Sequence, residues 1–165
     1  MTGAWVLRHL MAIVVLPFTV AVMVPLWLAR RSGTVLAPGS GLAELVLQSI
    51  GVLLLAAGAT LFAASLHHFA SEGRGTLAPW DPPRRLVVRG PYRWVRNPMI
   101  SGVLLVLFGQ AAVFLSRPHL AWALTFFAIN AIYIPVLEEP VLRARFGADY
   151  DEYCRRVPRL IPRRP

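Results

Sequence analysis

Two carboxylates stand side by side at Glu138-Glu139, directly after an uncharged run, and a second polar group, Tyr92-Arg93-Trp94-Val95-Arg96-Asn97-Pro98, stands directly before another. Adjacent carboxylates at the end of an apolar helix cost desolvation energy unless they are paired. Glu139 has a partner within helical reach in Arg143, so Glu138 is left to bind hydroxyl groups or a cation. Asn97-Pro98 has the residues of a helix start, with Asn favoured at the N-cap and Pro at the first helical position. The amides of Met99 and Ile100 would then face out at the positive end of the helix dipole, flanked by Arg93 and Arg96. Such a place holds a small anion, for example a carboxylate or phosphate. We read the two clusters as halves of one cofactor site at a membrane surface.

The elements that must position them are apolar runs. Leu10 to Ala29 carries no charge and is long enough to cross about 30 Å of hydrocarbon as a helix. It is too long for a signal-peptide core, and Leu28-Ala29-Arg30-Arg31 is a poor cleavage site. Pro17 and Pro25 inside it require neighbours that satisfy the carbonyls they free. Leu45 to Leu66 is the second run, with Gly51, Ala56, Gly58, Ala59 and Ala63 as small residues for close helix approach. Residues 69–97 read as a polar loop, broken by Asp81-Pro82-Pro83, with Trp80, Tyr92 and Trp94 suited to the interfacial belt. Met99 to Leu115 and Leu120 to Leu137 follow, separated only by Ser116-Arg117-Pro118-His119, and form a tight antiparallel hairpin. The hairpin places the start of the third run beside the end of the fourth, and so brings the two clusters together. Beyond Glu138 the sequence turns amphipathic, with Val141, Leu142, Phe146, Tyr150, Tyr153, Cys154 and Val157 at helical spacing. The expected fold is an all-α integral membrane protein of about four transmembrane helices with a C-terminal amphipathic interfacial helix, in one domain over residues 1–165. Its spans are 10–29, 45–66, 99–115 and 120–137, with a cytoplasmic loop at 69–97 and a cytoplasmic catalytic tail at 138–165.

Composition agrees with that reading. Of 165 residues 56% are hydrophobic and only 15% charged, and the mean hydropathy is +0.57, whereas a soluble domain carries about a quarter charged residues. The net charge of +9 comes from 17 arginines and no lysine. In a membrane protein such arginines mark cytoplasmic loops and contacts with anionic lipid head groups rather than nucleic acid. The N-terminus, the 69–97 loop and the tail hold fourteen of them, against Arg30, Arg31 and Arg117 on the other side. Both termini and the site are therefore expected in the cytoplasm, across a bacterial-type inner membrane. No metal site is expected: Cys154 is the lone cysteine and reads as a space-filler, and His67 and His68 have no further ligands at matching spacing. Asn130 reads as a helix-packing residue.

The motif Gly-Pro-Tyr-Arg-x-x-Arg-Asn-Pro-Met-x-x-Gly (90–102) is followed by Glu138-Glu139. Leu142-x-x-x-Phe146-Gly147-x-x-Tyr150-x-x-Tyr153-x-x-x-Val157-Pro158-Arg159-x-Ile161-Pro162 comes next. Together they resemble the isoprenylcysteine carboxyl methyltransferases and the related phospholipid methyltransferases over about residues 85–162. The resemblance implies a membrane-embedded enzyme dependent on S-adenosylmethionine, with a cytoplasmic cofactor pocket and a lipid-accessible opening for a lipophilic or lipidated acceptor. Carried over, the cofactor residues are Tyr92, Arg96, Asn97, Pro98, Met99, Glu138 and Glu139, with Tyr150, Tyr153 and Arg159 closing the pocket from the tail. Where the family carries His this chain has Asn97, which cannot serve as a base near neutral pH, and a common Tyr is Ile100. Arg96, Arg143 or Arg159 would position a carboxylate acceptor, such as that of a prenylcysteine-like compound. Glu138 would take the proton from a lipid amine. A nicotinamide-dependent reductase of the sterol-reductase type and a non-catalytic membrane sensor or partner protein are the competing readings. The paired glutamates and short chain favour methyl transfer over the first, and Asn97 is the feature that favours the second.

Overall fold

A computed structural model describes residues 14–72 and 85–160, and every regular element among them is helical. The Asp81-Pro82-Pro83 break, Trp80 and the last five residues of the tail lie outside the described residues, as does the start of the first apolar run. A π-helical segment, Val14–Met23, leads into α1 (Val24–Ser32), followed by α2 (Leu42–Glu72), a 3-10 turn at Gly90–Arg93, α3 (Pro98–Val113) and α4 (Arg117–Tyr133). A second π segment, Ile134–Glu138, joins α4 to α5 (Glu139–Phe146), and α6 (Ala148–Arg156) ends the chain of elements. Two helices are long and apolar enough to cross a membrane: α2, of 31 residues, and the continuous Arg117–Phe146, of 30. The α3 helix, of 16 residues, is apolar but reaches only about 24 Å.

The prolines account for the irregular helix at the N-terminal end. Pro25 has no N–H, so one carbonyl a turn before it, Ala21 at α spacing or Val20 at π spacing, loses its donor. Neighbouring helices supply replacements. Trp122 Nε1 donates to the Val20 carbonyl at 3.0 Å and Gln110 Nε2 to the Ala21 carbonyl at 2.8 Å. The Pro25 carbonyl lies 3.2 Å from Nε2 of the buried His119, whose Nδ1 is 2.7 Å from Ser116 Oγ. The carbonyls freed in this helix are met by α3 and α4, which bond the first helix to the hairpin.

α2 and α3 pack through a seam of glycines. Gly51 lies opposite Gly109 and Gly58 opposite Gly102, each pair two helical turns apart along its own helix. A Cβ on Gly58 would stand 2.7 Å from the Gly102 carbonyl oxygen, and one on Gly109 2.9 Å from the Gly51 oxygen. Backbones this close pack by direct van der Waals contact, which substitutes for the hydrophobic drive that is absent in lipid. The apolar side chains of α2 on the other faces, such as Val46, Leu53 and Ile50, stay exposed. The core between α3 and α4 is Val103, Leu107 and Ala123, with Val20, Phe62, Phe108, Trp122 and Phe126 around it. Asn130 is buried and turns its amide back to the Phe126 carbonyl at 2.8 Å within its own helix.

The hairpin turn is tighter than the sequence indicates. α3 ends at Val113, Leu115 takes a left-handed conformation (φ 48), and Ser116 N–H returns to the Ala111 carbonyl at 3.0 Å. The antiparallel pairing follows. After Glu138 the chain forms two short helices rather than one. Gly147 (φ 55, ψ −130) breaks them, a backbone shape that only glycine adopts without strain. The second of these puts Asp149 and Asp151 in its first turn and Arg155 and Arg156 in its last, complementing its dipole.

Candidate cofactor site

Three pieces converge at the end of the hairpin away from its turn: the 90–98 segment, the Glu138-Glu139 corner and the 150–160 stretch. The corner exists because Pro135 cannot donate to the turn before it; the helix widens there into its π segment, a distortion often found at functional sites. The apolar stretch of that helix ends at Leu137, and the two glutamates lie beyond it. Residues after α6 run alongside the start of α3. Arg96 N–H donates to the Pro158 carbonyl at 2.8 Å and Asn97 N–H to the Arg159 carbonyl at 3.2 Å. Ser101 Oγ donates to the Leu160 carbonyl at 3.0 Å. The tail therefore clips onto the segment that carries Arg96.

Glu139 is the electrostatic centre. Arg159 grips it with two hydrogen bonds, Nε to Oε1 at 2.6 Å and Nη2 to Oε2 at 3.0 Å, and Arg96 Nη1 adds an ion pair to Oε1 at 3.0 Å. Burial opposes ionisation of Glu139, but the Arg159 hydrogen bond and the charges of Arg96, Arg159 and Arg143 outweigh it, and its carboxyl titrates below the ordinary value. The expected Glu139–Arg143 pair does not form: Arg143 turns outward to Asp151 at 2.6 Å. Two arginines reach Glu139 from segments distant in sequence, and a bidentate grip from Arg159 leaves no vacancy for a helical neighbour.

Glu138 is its opposite. It is half-buried and makes no hydrogen bond or ion pair with a described residue. Burial, and then the negative charge of Glu139, raise its pKa to about 7. Tyr92 lies near it, 7% exposed, with a hydroxyl that has no hydrogen-bond partner. Burial, with smaller contributions from Tyr153 and Glu138, keeps that hydroxyl protonated. The Arg96 Nε is also buried and without a partner. Native structures rarely leave such groups unmet unless a ligand or water completes them.

The aromatics act as walls. Tyr153 is buried and its hydroxyl donates to the Tyr92 carbonyl at 2.7 Å, which fixes the 3-10 turn against α6. Tyr150, 2% exposed, packs with Tyr153 and Val157, with Leu86, Leu142, Phe146 and Cys154 around them. Pro98 is fully buried at the first turn of α3, and Met99 beside it is half-buried. Asn97 occupies the N-cap position but its side chain makes no capping bond (φ −120, ψ 61). The first bond of the helix runs from Ser101 N–H to the Asn97 carbonyl at 3.0 Å, and the Ser101 hydroxyl lies within reach of both the Asn97 (3.1 Å) and Leu160 (3.0 Å) carbonyls, with one hydrogen to share between them.

Of the residues singled out in the sequence, Tyr92, Arg96, Glu138, Glu139, Tyr150, Tyr153 and Arg159 come together, while Arg143 is on the rim. Sequence reasoning missed Cys154, whose sulfur lies against Arg96 Nη1. Its one signal was its place one helical turn after Tyr150.

A helical, apolar chain with a cluster of acidic, basic and aromatic side chains at one end of a helical hairpin has the makeup of a membrane protein. This chain belongs to the phospholipid methyltransferase family, whose model matches residues 46–149. It is 43% identical over 75 residues to Methanethiol S-methyltransferase 2 of Bradyrhizobium diazoefficiens, a stretch that covers 44% of this chain and 27% of that protein. The chain thus spans about a quarter of that relative's length. No solved structure matches the chain significantly.

Proposed function

We propose that this chain is an integral membrane methyltransferase that uses S-adenosylmethionine at the cytoplasmic membrane face, with four membrane crossings and both termini cytoplasmic. The observation that carries the reading is a pair of buried groups without partners, Tyr92 Oη and Arg96 Nε, with the unpaired, half-buried Glu138 carboxyl near them and a carboxylate that two arginines already neutralise. These groups fit a ligand that has a carboxylate, two cationic centres and sugar hydroxyls. Arg96 and the start of α3 would hold the carboxylate, and Glu138 with Tyr92 would hold a cation or the hydroxyls. Tyr150, Tyr153, Asn97, Pro98 and Met99 line the remainder, and Arg159 keeps Glu139 and the tail in place. When bound, S-adenosylmethionine supplies an electrophilic methyl group.

The chain's own contribution is proximity, orientation and exclusion of water. For an acceptor that is already anionic, such as a prenylcysteine carboxylate, an arginine steers it: Arg96 or Arg159 from inside, Arg143 from the rim. For an acceptor that must lose a proton, Glu138 is the group to take it, since a carboxyl titrating about 7 is matched to that task. The likeness to a methanethiol S-methyltransferase favours a second acceptor class beside lipids, a small apolar thiol that partitions into the bilayer.

The test is titration with S-adenosylmethionine in detergent and in lipid. Saturable binding that Glu138→Ala abolishes supports the reading, and no binding in either medium sinks it. Transfer of a labelled methyl group to methanethiol, compared with a membrane lipid extract, then separates the acceptor classes.

A further inference from the structure

We propose that Cys154 is a positioning residue of this site: its sulfur holds the Arg96 guanidinium in the plane that bridges Glu139 and leaves Nε for the ligand. The inference rests on reading the site as the cofactor site. Nη1 of Arg96 lies against Cys154 Sγ and 3.0 Å from Glu139 Oε1. The carboxylate alone would fix one end of the guanidinium and let its plane swing, because Oε1 is shared with Arg159 Nε. A second acceptor on another helix removes that freedom, and a planar fork is worth most when its plane is fixed. Cys154 is itself braced: it packs against the cluster of Tyr150, Tyr153 and Val157. The Arg96 side chain is only 11% exposed, so water does not replace a lost sulfur contact cheaply.

A space-filling cysteine and a positioning one respond oppositely to substitution. Cys154→Val keeps an apolar side chain of similar size without a polar contact, whereas Cys154→Ser keeps an acceptor. S-adenosylmethionine affinity, measured by calorimetry, is expected to fall about fivefold to tenfold in Cys154→Val and to stay within about twofold of the parent in Cys154→Ser. Cys154→Val binding as tightly as the parent overturns the proposal. A second readout needs no cofactor. Melting temperatures of Cys154→Val, Arg96→Gln and the double variant are expected to be non-additive, since the first change removes what the second would lose. Additive losses overturn the proposal whatever the binding result. If the parent protein itself binds no S-adenosylmethionine, the functional reading fails and this cycle alone decides whether sulfur and guanidinium are coupled.

Discussion

At the scale of residues, the two adjacent glutamates have different environments and so different chemistry. Glu139 is 6% exposed and held by Arg159 and Arg96. Glu139→Ala leaves both cations without their shared partner, and is expected to cost about 3 kcal/mol of stability in chemical or thermal unfolding. Glu138 carries no such partner, and its pKa is raised from 4.5 to about 7. The raised value means that folding favours its protonated form. The stability this gives is full below pH 4.5 and is lost as pH rises through about 7. Glu138→Gln is therefore expected to unfold at a higher temperature than the parent above pH 7, and to differ little below pH 4.5. Binding of a cationic ligand should show the reverse trend. Affinity for S-adenosylmethionine is expected to weaken as pH drops through about 7, and Glu138→Gln should flatten that profile; a parent profile flat from pH 5 to 9 would remove Glu138 from the binding set.

At the scale of elements, the glycine seam and the tail clip position the site. Gly58→Ala puts a methyl group 2.7 Å from the Gly102 oxygen, backbone that cannot turn aside, so α2 and α3 must separate. A loss of about 1–3 kcal/mol is expected, with a lower melting temperature in detergent. Gly41→Ala, where an added Cβ meets nothing within 4 Å, serves as the control. The clip depends on backbone bonds from Pro158 and Arg159 and on the Leu160 carbonyl. Deleting residues 157–165 removes these bonds and Arg159 together. Ligand binding is expected to vanish, while α2, α3 and α4 retain their helical circular dichroism because the core between them lies elsewhere.

At the scale of the molecule, the proposed orientation rests on the arginine asymmetry, and the hairpin sets which ends meet. A membrane-impermeant maleimide is expected to label Ser40→Cys from the outside of intact cells. Arg89→Cys should be labelled only in inverted vesicles, each in a Cys154→Ser background. Label on both from the same side would overturn the four-crossing topology. The lengths are unequal: α3 has 16 residues against 31 for α2, so the proposed four crossings require a thinned or tilted path at the hairpin. The proline-containing first helix is tied to α3 and α4 by Gln110 and Trp122, so it belongs to the same bundle as the site.

The sequence by itself determined the helices, because uncharged runs of that length leave their backbone few other ways to be satisfied. It also determined that the start of α3 meets the end of α4, because a connection of a few residues permits only an antiparallel pair. Arg96, Glu138 and Glu139 were legible as candidate site residues from type and spacing, and Arg159 only from the family resemblance. Only the tertiary structure decided the pairing among them. Local spacing pointed Glu139 to Arg143, but an arginine from the tail and another from before α3 reach it instead, and Arg143 goes to Asp151. Ion-pair partners are chosen by distance in space and by how many hydrogen bonds each offers, and neither is written in the order of residues along the chain. The same holds for Cys154, whose sulfur gains its role from an arginine 58 positions away.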